Sequence, residues 1–324
     1  MNHLIFGGAG FIGTHLKKYI EQVKESSDLV FSYDIKKKVS DDFITLDVTK
    51  PFQIDIENIS ESIIYNLAAV HTTPGHPDHE YYETNIKGAE NIADFARKKN
   101  IKTIVFTSSV AVYGTGERFK SEDLLPMPNV PYGISKLTAE YVFKLWQQEA
   151  PDERTLFIVR PGVVFGAGEG GNYTRLYTSI KKGFFFYPGR KDTLKASVYV
   201  KDVVRILHHG GQIKNSKVDI FNLSIEPIPT IGEICETMAQ ATGLKKPKIT
   251  VPSWALKTAA STVYFGARVL GKNLSGIHPD RVLKLMISTN ISGKKLYGSS
   301  FKLKFNLKEA LEDWFEDCNK AGLY

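Results

Sequence analysis

The chain has 324 residues, 42% hydrophobic and 24% charged, which is long enough for one large core or a domain with a smaller partner and too apolar for a disordered chain. Its two cysteines, Cys235 and Cys318, lie far apart, offering neither a disulfide framework nor metal-ligand spacing, so a reducing compartment and no metal are expected. The net charge of +7 suits acidic ligands such as nucleotides, diphosphates or an anionic membrane surface. Because the basic residues are scattered as pairs and triplets (Lys36-Lys37-Lys38, Lys98-Lys99, Lys181-Lys182, Lys245-Lys246), they read as solvated faces and no nucleic-acid partner is expected.

The first ten residues lack a basic start followed by a long apolar run, so no signal peptide is expected. Along the chain, HLIFGG, LVFSYD, SIIYNLAA, KTIVFTSS and TLFIVRP read as short buried strands. The stretches IGTHLKKYIEQV, EYYETNIKGAENIADFARKK and YGISKLTAEYVFKLWQQ read as helices. Alternation of this kind predicts an α/β fold with a doubly wound parallel sheet of the Rossmann type. From about residue 165 the pattern loosens into glycine clusters and shorter elements. Residues 1–165 are therefore expected to form the dinucleotide-binding domain with the catalytic residues. Residues 166–324 are expected to form mostly a smaller C-terminal α/β substrate lobe, with some segments returning to the sheet.

The loop FGGAGFIG, residues 6–13, lies between the first strand and the first helix. In that setting Gly7, Gly10 and Gly13 permit a tight turn, close approach of the backbone to a pyrophosphate, and packing of helix on strand. Phe11 and Ile12 then belong to a helix N-terminus whose free N–H groups favour phosphate. Asp34 closes the next strand 21 residues after Gly13. A carboxylate there can accept hydrogen bonds from an adenosine ribose and repels a 2′-phosphate, which favours NAD over NADP. The lysines at 36–38 weaken that preference without reversing it.

TSSVAVYG (107–114) follows a strand, and YGISK (132–136) opens a helix. Tyr132 and Lys136 lie four apart and share a helical face. An ammonium beside a phenol lowers the tyrosine pKa from about 10 towards working pH, and an oxidised nicotinamide acts in the same direction. Tyr132 is thereby a candidate general acid/base, with a nearby serine hydroxyl to hold the substrate oxygen.

Together these residues resemble the extended short-chain dehydrogenase/reductase superfamily, in particular the NAD-dependent epimerase/dehydratase family acting on nucleotide sugars. The resemblance implies pyrophosphate binding by Gly7, Gly10 and Gly13 with Phe11 and Ile12, and adenine contact by Asp47 and Val48. It places Leu67, Ala68 and Ala69 of NLAA beneath the nucleotide, makes Asn85 a helix-stabilising asparagine near the cofactor, and sets Pro161 on the nicotinamide side. Ser109, Tyr132 and Lys136 take the catalytic positions. Sugar 4,6-dehydratases of the family carry Asp-Glu after the catalytic serine or threonine, whereas this chain has Val110 and Ala111, neither of which can move a proton. Dehydration is thus disfavoured. Two activities remain: a 4-epimerase, in which a 4-keto sugar turns over in the site, and an NAD(P)H-dependent 4-keto-sugar reductase. Asp34 tips the balance towards the first. A non-catalytic dinucleotide-sensing regulator is a third reading, opposed by the retained tyrosine and lysine.

In the second half the resemblance sets Asn172 and Lys195 at the diphosphate, with lysine where uridine-specific relatives carry arginine. Arg190, Arg281 and His71 are further substrate candidates, each weighed against a surface or loop role. Residues 253–271 carry only Lys257 and Arg268, on nearly one helical face. They form either a helix packed on the lobe or an amphipathic helix at a membrane surface. This stretch, with SSVAVYG, Asn172 and Lys195, also resembles epimerases acting on N-acetylglucosamine carried by undecaprenyl diphosphate. A homodimer built on residues 79–98 and 131–149, a role in polysaccharide biosynthesis and a cytoplasmic location, peripheral at the inner membrane face if the amphipathic reading holds, complete what the resemblance implies.

Overall fold

The computed structural model describes residues 1–36, 43–71, 75–214, 217–255, 258, 286–299 and 301–324. Its centre is a seven-stranded, wholly parallel sheet built from β1 (Asn2–Phe6), β2 (Leu29–Asp34), β3 (Ile44–Thr45), β4 (Ile63–Asn66), β5 (Thr103–Thr107), β6 (Thr155–Pro161) and β10 (Val218–Leu223). The spatial order is β10-β6-β5-β4-β1-β2-β3, so the winding reverses between β1 and β4. In such sheets the crevice at the carboxyl ends of the strands flanking the reversal is where ligands bind.

Alternation along the strands explains the layers. On β1, Leu4 and Phe6 face one core and Ile5 the other; on β6, Leu156 and Ile158 oppose Phe157 and Val159. The first core is closed by α2 (Asp78–Lys98) and α3 (Pro131–Gln148), through Ile92, Phe95, Phe143 and the fully buried Trp146. The second is closed by α1 (Phe11–Val23) and α5 (Val200–Gln212), through Leu16, Ile20, Val203 and Leu207. Each such side chain contributes on the order of 1.5–3 kcal/mol by leaving water, and a sheet covered on both faces needs the near-continuous apolar strands seen here.

The later part of the chain does two things. β10 and α5 join the central sheet and its second layer, while the remainder builds a separate aromatic core. That core packs α4 (Asn172–Lys181), α6 (Ile231–Thr242) and α8 (Leu307–Asp317; α7 is the short Lys294–Tyr297) around Phe165, Tyr187, Tyr199 and Trp314. Phe165 stacks on Tyr173 at 4.3 Å. Two small parallel pairs support it: β7 (Val163–Phe165) with β9 (Ser197–Tyr199), and β8 (Tyr187–Pro188) with β11 (Thr250–Val251). Of residues 253–271, only 253–255 and 258 fall among those described. Among the described residues no helix is long and apolar enough to cross a membrane.

Candidate active site

The glycine loop leaves β1 at the winding reversal. Gly7 N–H and Gly8 N–H both donate to the Tyr33 carbonyl, at 2.8 and 3.0 Å, turning the chain over β2. Gly7 has φ +82°, and a Cβ there would stand 2.6 Å from Ala68 N. A Cβ on Gly13 would stand 2.4 Å from the Gly7 carbonyl oxygen. The loop and the segment Leu67–Ala69 after β4 are therefore stacked backbone on backbone, with Leu67 N–H donating to Phe6 O. Gly10 is the N-cap of α1 and brings no side chain to cap it. The first-turn N–H groups of Phe11, Ile12 and Gly13 thus face the crevice with the helix dipole behind them, a cradle whose chemistry fits the pyrophosphate of a dinucleotide.

Asp34 stands beside the cradle at the end of β2, its carboxylate accepting from Ala9 N–H and Lys36 N–H, both at 3.0 Å. Two lone-pair directions remain for ribose hydroxyls. Lys36 itself donates to Ala9 O at 3.0 Å; the two following lysines lie outside the described residues. Asp47 is held by Thr49, through N–H and hydroxyl at 3.0 and 2.7 Å. Its neighbour Val48 is buried against Gly88 of α2, with its carbonyl taken by Asn91. Asn85 donates to Val70 O and Ser135 Oγ and accepts from Val70 N–H. Both amide protons are spent there, so Asn85 braces the β4 loop against α3. Pro161 is buried at the end of β6.

The catalytic candidates meet above β5 and at the start of α3. Pro131 at the first helical position of α3 fixes the entry of the chain, and Tyr132 follows it. The Ser109 hydroxyl lies near enough to the Tyr132 phenol to act on its titration and accepts from Ala111 N–H at 3.1 Å. Burial pushes the phenol up to about 12, Ser109 draws it part of the way back, and Tyr81, with its ring 6.2 Å away, adds to the rise. The expected depression of Tyr132 by Lys136 is thus not what the chain alone produces: burial dominates the phenol, and the opposing influence comes from Ser109.

Lys136 is 2% exposed, with its ammonium 4.4 Å above the Phe106 ring and no hydrogen bond or ion pair among the described residues. Burial lowers its pKa to about 7, with Glu140 acting in the opposite sense. A buried ammonium without an acceptor is costly, and ribose hydroxyls are the kind of group that would satisfy it. Cradle, Asp34 and Lys136 together fit a nicotinamide dinucleotide. His71, after the β4 loop, is bonded to the Ala69 carbonyl and lies within electrostatic reach of Lys136, which puts it at the same end of the sheet.

Motif reading missed what lies beneath these groups. Arg160 on β6 makes a two-bonded grip on Glu140, one turn beyond Lys136, with Nε to Oε1 at 2.8 Å and Nη2 to Oε2 at 2.7 Å. Glu140 also accepts from Ser108, next to Ser109, at 2.6 Å. Arg160 donates to Tyr113 OH, and Tyr113 donates to Asn222 on β10. Every member is buried. The available signal was the carboxylate four residues after the lysine together with the arginine inside an apolar strand.

Of the substrate candidates, Arg190 and Lys195 are brought together. Arg190 pairs with Glu117 and Asp192 and donates to Ser288 Oγ at 3.0 Å. Lys195 donates to Ile287 O at 2.9 Å, and burial with Arg190 nearby lowers its pKa to about 8. Asn172 is exposed in the first turn of α4, where Glu169 already accepts from Thr174 N–H at 3.0 Å. No contact joins Asn172 to the Arg190–Lys195 pair among the described residues, and Arg281 lies outside them. Among the described residues no group of three or more His, Cys, Asp or Glu side chains is placed to hold a metal.

Comparison with known proteins follows the same lines. The chain is 28% identical over 316 residues, 96% of its length and 93% of the relative's, to the N-acetyl-alpha-D-glucosaminyl-diphospho-ditrans,octacis-undecaprenol 4-epimerase of Escherichia coli O157:H7. Its fold is similar to that of the UDP-glucuronic acid 4-epimerase from Bacillus cereus in complex with NAD, with TM-score 0.72 and 19% identity over 98% of this chain and 99% of that one. It is also similar to that of the human epimerase family protein SDR39U1 with NADPH, with TM-score 0.76 and 19% identity over 98% of this chain and all of that one. Residues 3–224, which carry the cradle, the Ser109–Tyr132 pair and Lys136, match the model of one family, and the chain belongs to it: the NAD dependent epimerase/dehydratase family.

Proposed function

We propose that the protein catalyses NAD-dependent 4-epimerisation of a diphosphate-activated hexose. The observation that carries this reading is the Tyr132 phenol with Ser109 beside it and, one turn along α3, a buried Lys136 that makes no hydrogen bond or ion pair among the described residues. The similarity to the Escherichia coli 4-epimerase along nearly the whole chain supports it. Residues 1–165 carry cofactor binding and catalysis, and residues 166–324 mostly the substrate side.

Bound NAD supplies a reversible hydride acceptor, which lets the sugar C4 pass through a ketone. Tyr132 takes the proton of the 4-hydroxyl and gives it back after the 4-keto sugar has turned over. Ser109 holds O4 as charge builds on it. Lys136 donates to ribose hydroxyls and supplies positive charge near the phenolate. Arg190 and Lys195 meet the diphosphate; Arg190 does so by exchanging Glu117 for phosphate oxygens. The polyprenyl-diphosphate sugar is the favoured carrier within this reading. The protein works in the cytoplasm, as a homodimer: α3 leaves Ile134, Tyr141 and Leu145 exposed along one face, spaced seven and four apart as a helix-pairing stripe requires.

The test is turnover of UDP- and undecaprenyl-diphosphate-linked N-acetylglucosamine by wild type and Tyr132→Phe, with cofactor released from denatured protein identified first. Stoichiometric NAD and a fall in turnover of roughly a hundredfold or more in the variant are expected. Near-wild-type turnover of Tyr132→Phe would overturn the mechanism, and an empty protein that prefers NADPH would replace the epimerase by the reductase.

A further inference from the structure

The strand pair β8–β11 carries an apolar surface that the active site does not use. In 181–191, KKGFFFYPGRK, alternation sends Phe185 and Tyr187 inward, their rings packed edge to face at 5.2 Å. Phe184 and Phe186 are left outward, 77% and 40% exposed. Tyr187 N–H donates to the Ile249 carbonyl at 2.8 Å, and the parallel register of Tyr187 with Thr250 brings Phe186 alongside Ile249, which is 66% exposed. Trp254, 74% exposed, follows three residues after β11. The other two tryptophans, Trp146 and Trp314, are fully buried.

The two segments that form this patch carry only basic charges, of which Lys246 is paired with Glu236 of α6 and Arg190 with Glu117 and Asp192. Neither 181–191 nor 245–254 (KKPKITVPSW) contains an acidic residue. Lys182, Lys245 and Lys248 are exposed and make no ion pair among the described residues. Large aromatic side chains standing out of a lysine rim have the composition of an interfacial anchor: rings enter the boundary between head groups and acyl chains, and ammonium groups meet anionic head groups.

We propose that the β8–β11 face docks on an anionic lipid bilayer, seating Phe184, Phe186, Ile249 and Trp254 at the interface under Lys182, Lys245 and Lys248. This surface shares only Trp254 with the membrane helix expected from residues 253–271 and is built by the strand pair. Its occupant is chosen by charge: a neutral apolar partner would leave the lysines unmatched. Docking is independent of the catalytic reading, because lipid binding is measured without turnover.

The experiment is flotation of the full-length protein with phosphatidylglycerol/phosphatidylcholine vesicles at low salt, alongside its tryptophan emission. Binding to the anionic vesicles, weakening with salt and absent on pure phosphatidylcholine, is expected, with a blue shift that Trp254→Phe abolishes. Phe184→Ser with Trp254→Ser, and separately Lys182→Gln with Lys248→Gln, should each lower partitioning on the order of tenfold or more, at about fivefold per lysine. Lys98→Gln, on α2, should leave it unchanged. Because the substituted side chains are exposed, the thermal midpoint should stay at the wild-type value. No flotation with anionic vesicles, or flotation that the aromatic pair does not affect while Lys98→Gln lowers it as much as the rim variants, would overturn the proposal.

Discussion

Two regions of helix α3 hold buried cations in opposite ways. Beneath the helix, Arg160 is bonded to both oxygens of Glu140 and to Tyr113. At its open end, one turn from Glu140, Lys136 is as buried as Arg160 and stands over the face of Phe106, with no hydrogen bond or ion pair among the described residues. The first cation has everything that compensates its desolvation inside the chain, and its pKa is raised. The second makes no hydrogen bond or ion pair among the described residues, and its pKa falls to about 7. A satisfied buried charge is a structural member; an unsatisfied one at a crevice is a place for a ligand.

The contrast can be broken from either side. The largest effect is expected for Arg160→Met, which strips the buried Glu140 carboxylate of its two-bonded partner and leaves it Ser108 and, at 3.8 Å, the partly exposed Lys144. A loss of about 3–5 kcal/mol in denaturant unfolding is expected, and Glu140→Gln combined with Arg160→Met should recover part of it. If the single variant loses less than about 1 kcal/mol, the network is not what holds α3 to the sheet.

Lys136→Met should act in the opposite direction on the cofactor-free protein. The folded pKa of Lys136 is depressed to about 7 from 10.5. The unfolded chain therefore binds more protons between those values, and folding stability rises with pH across that window. One proton gives a slope of at most ~1.4 kcal/mol per pH unit. The variant should flatten this slope, gain stability at neutral pH and lose NAD retention. A variant that keeps the wild-type slope would mean that Lys136 already has its acceptor within the chain.

The smallest effect concerns the far end of β1. His3 is fully buried, and its pKa is lowered to about 4 from 6.5, by burial first and His208 second, with Asp28 opposing. Here too the unfolded state binds the extra proton, so this contribution is complete above pH 6.5 and is lost as pH falls towards 4. His3→Leu should shift the acid limb of the unfolding curve to lower pH. An unshifted limb would assign acid lability to other groups, among them Glu149, whose carboxyl Arg97 and Arg154 hold down to about 2.

Much of the first 165 residues was legible because its signals are local. LVFSYD and TLFIVRP coincide with β2 and β6, and the helices read around IGTHLKKYIEQV and YGISKLTAEYVFKLWQQ coincide with α1 and α3 to within a residue. VDIFNL, by contrast, was not read as a central strand. It is one because it pairs with β6, more than fifty residues earlier in the chain. VKDVVRILHHGGQ closes the second core through contacts with α1, which no local pattern specifies. The Arg190–Lys195 cluster likewise depends on Ile287 and Ser288, supplied by chain nearly a hundred residues further on.

The sequence by itself determined the glycine turn, the helical spacing of Tyr132 and Lys136 and the strand alternation, because backbone sterics and side-chain periodicity act within a few residues. Only the tertiary structure decided which of the buried charges are satisfied. It left Tyr132 high and Lys136 low, spent Asn85 on the β4 loop, and turned Phe184 and Trp254 outward. Desolvation and hydrogen-bond satisfaction depend on what packs around a group, and the groups that pack around these come from distant parts of the chain.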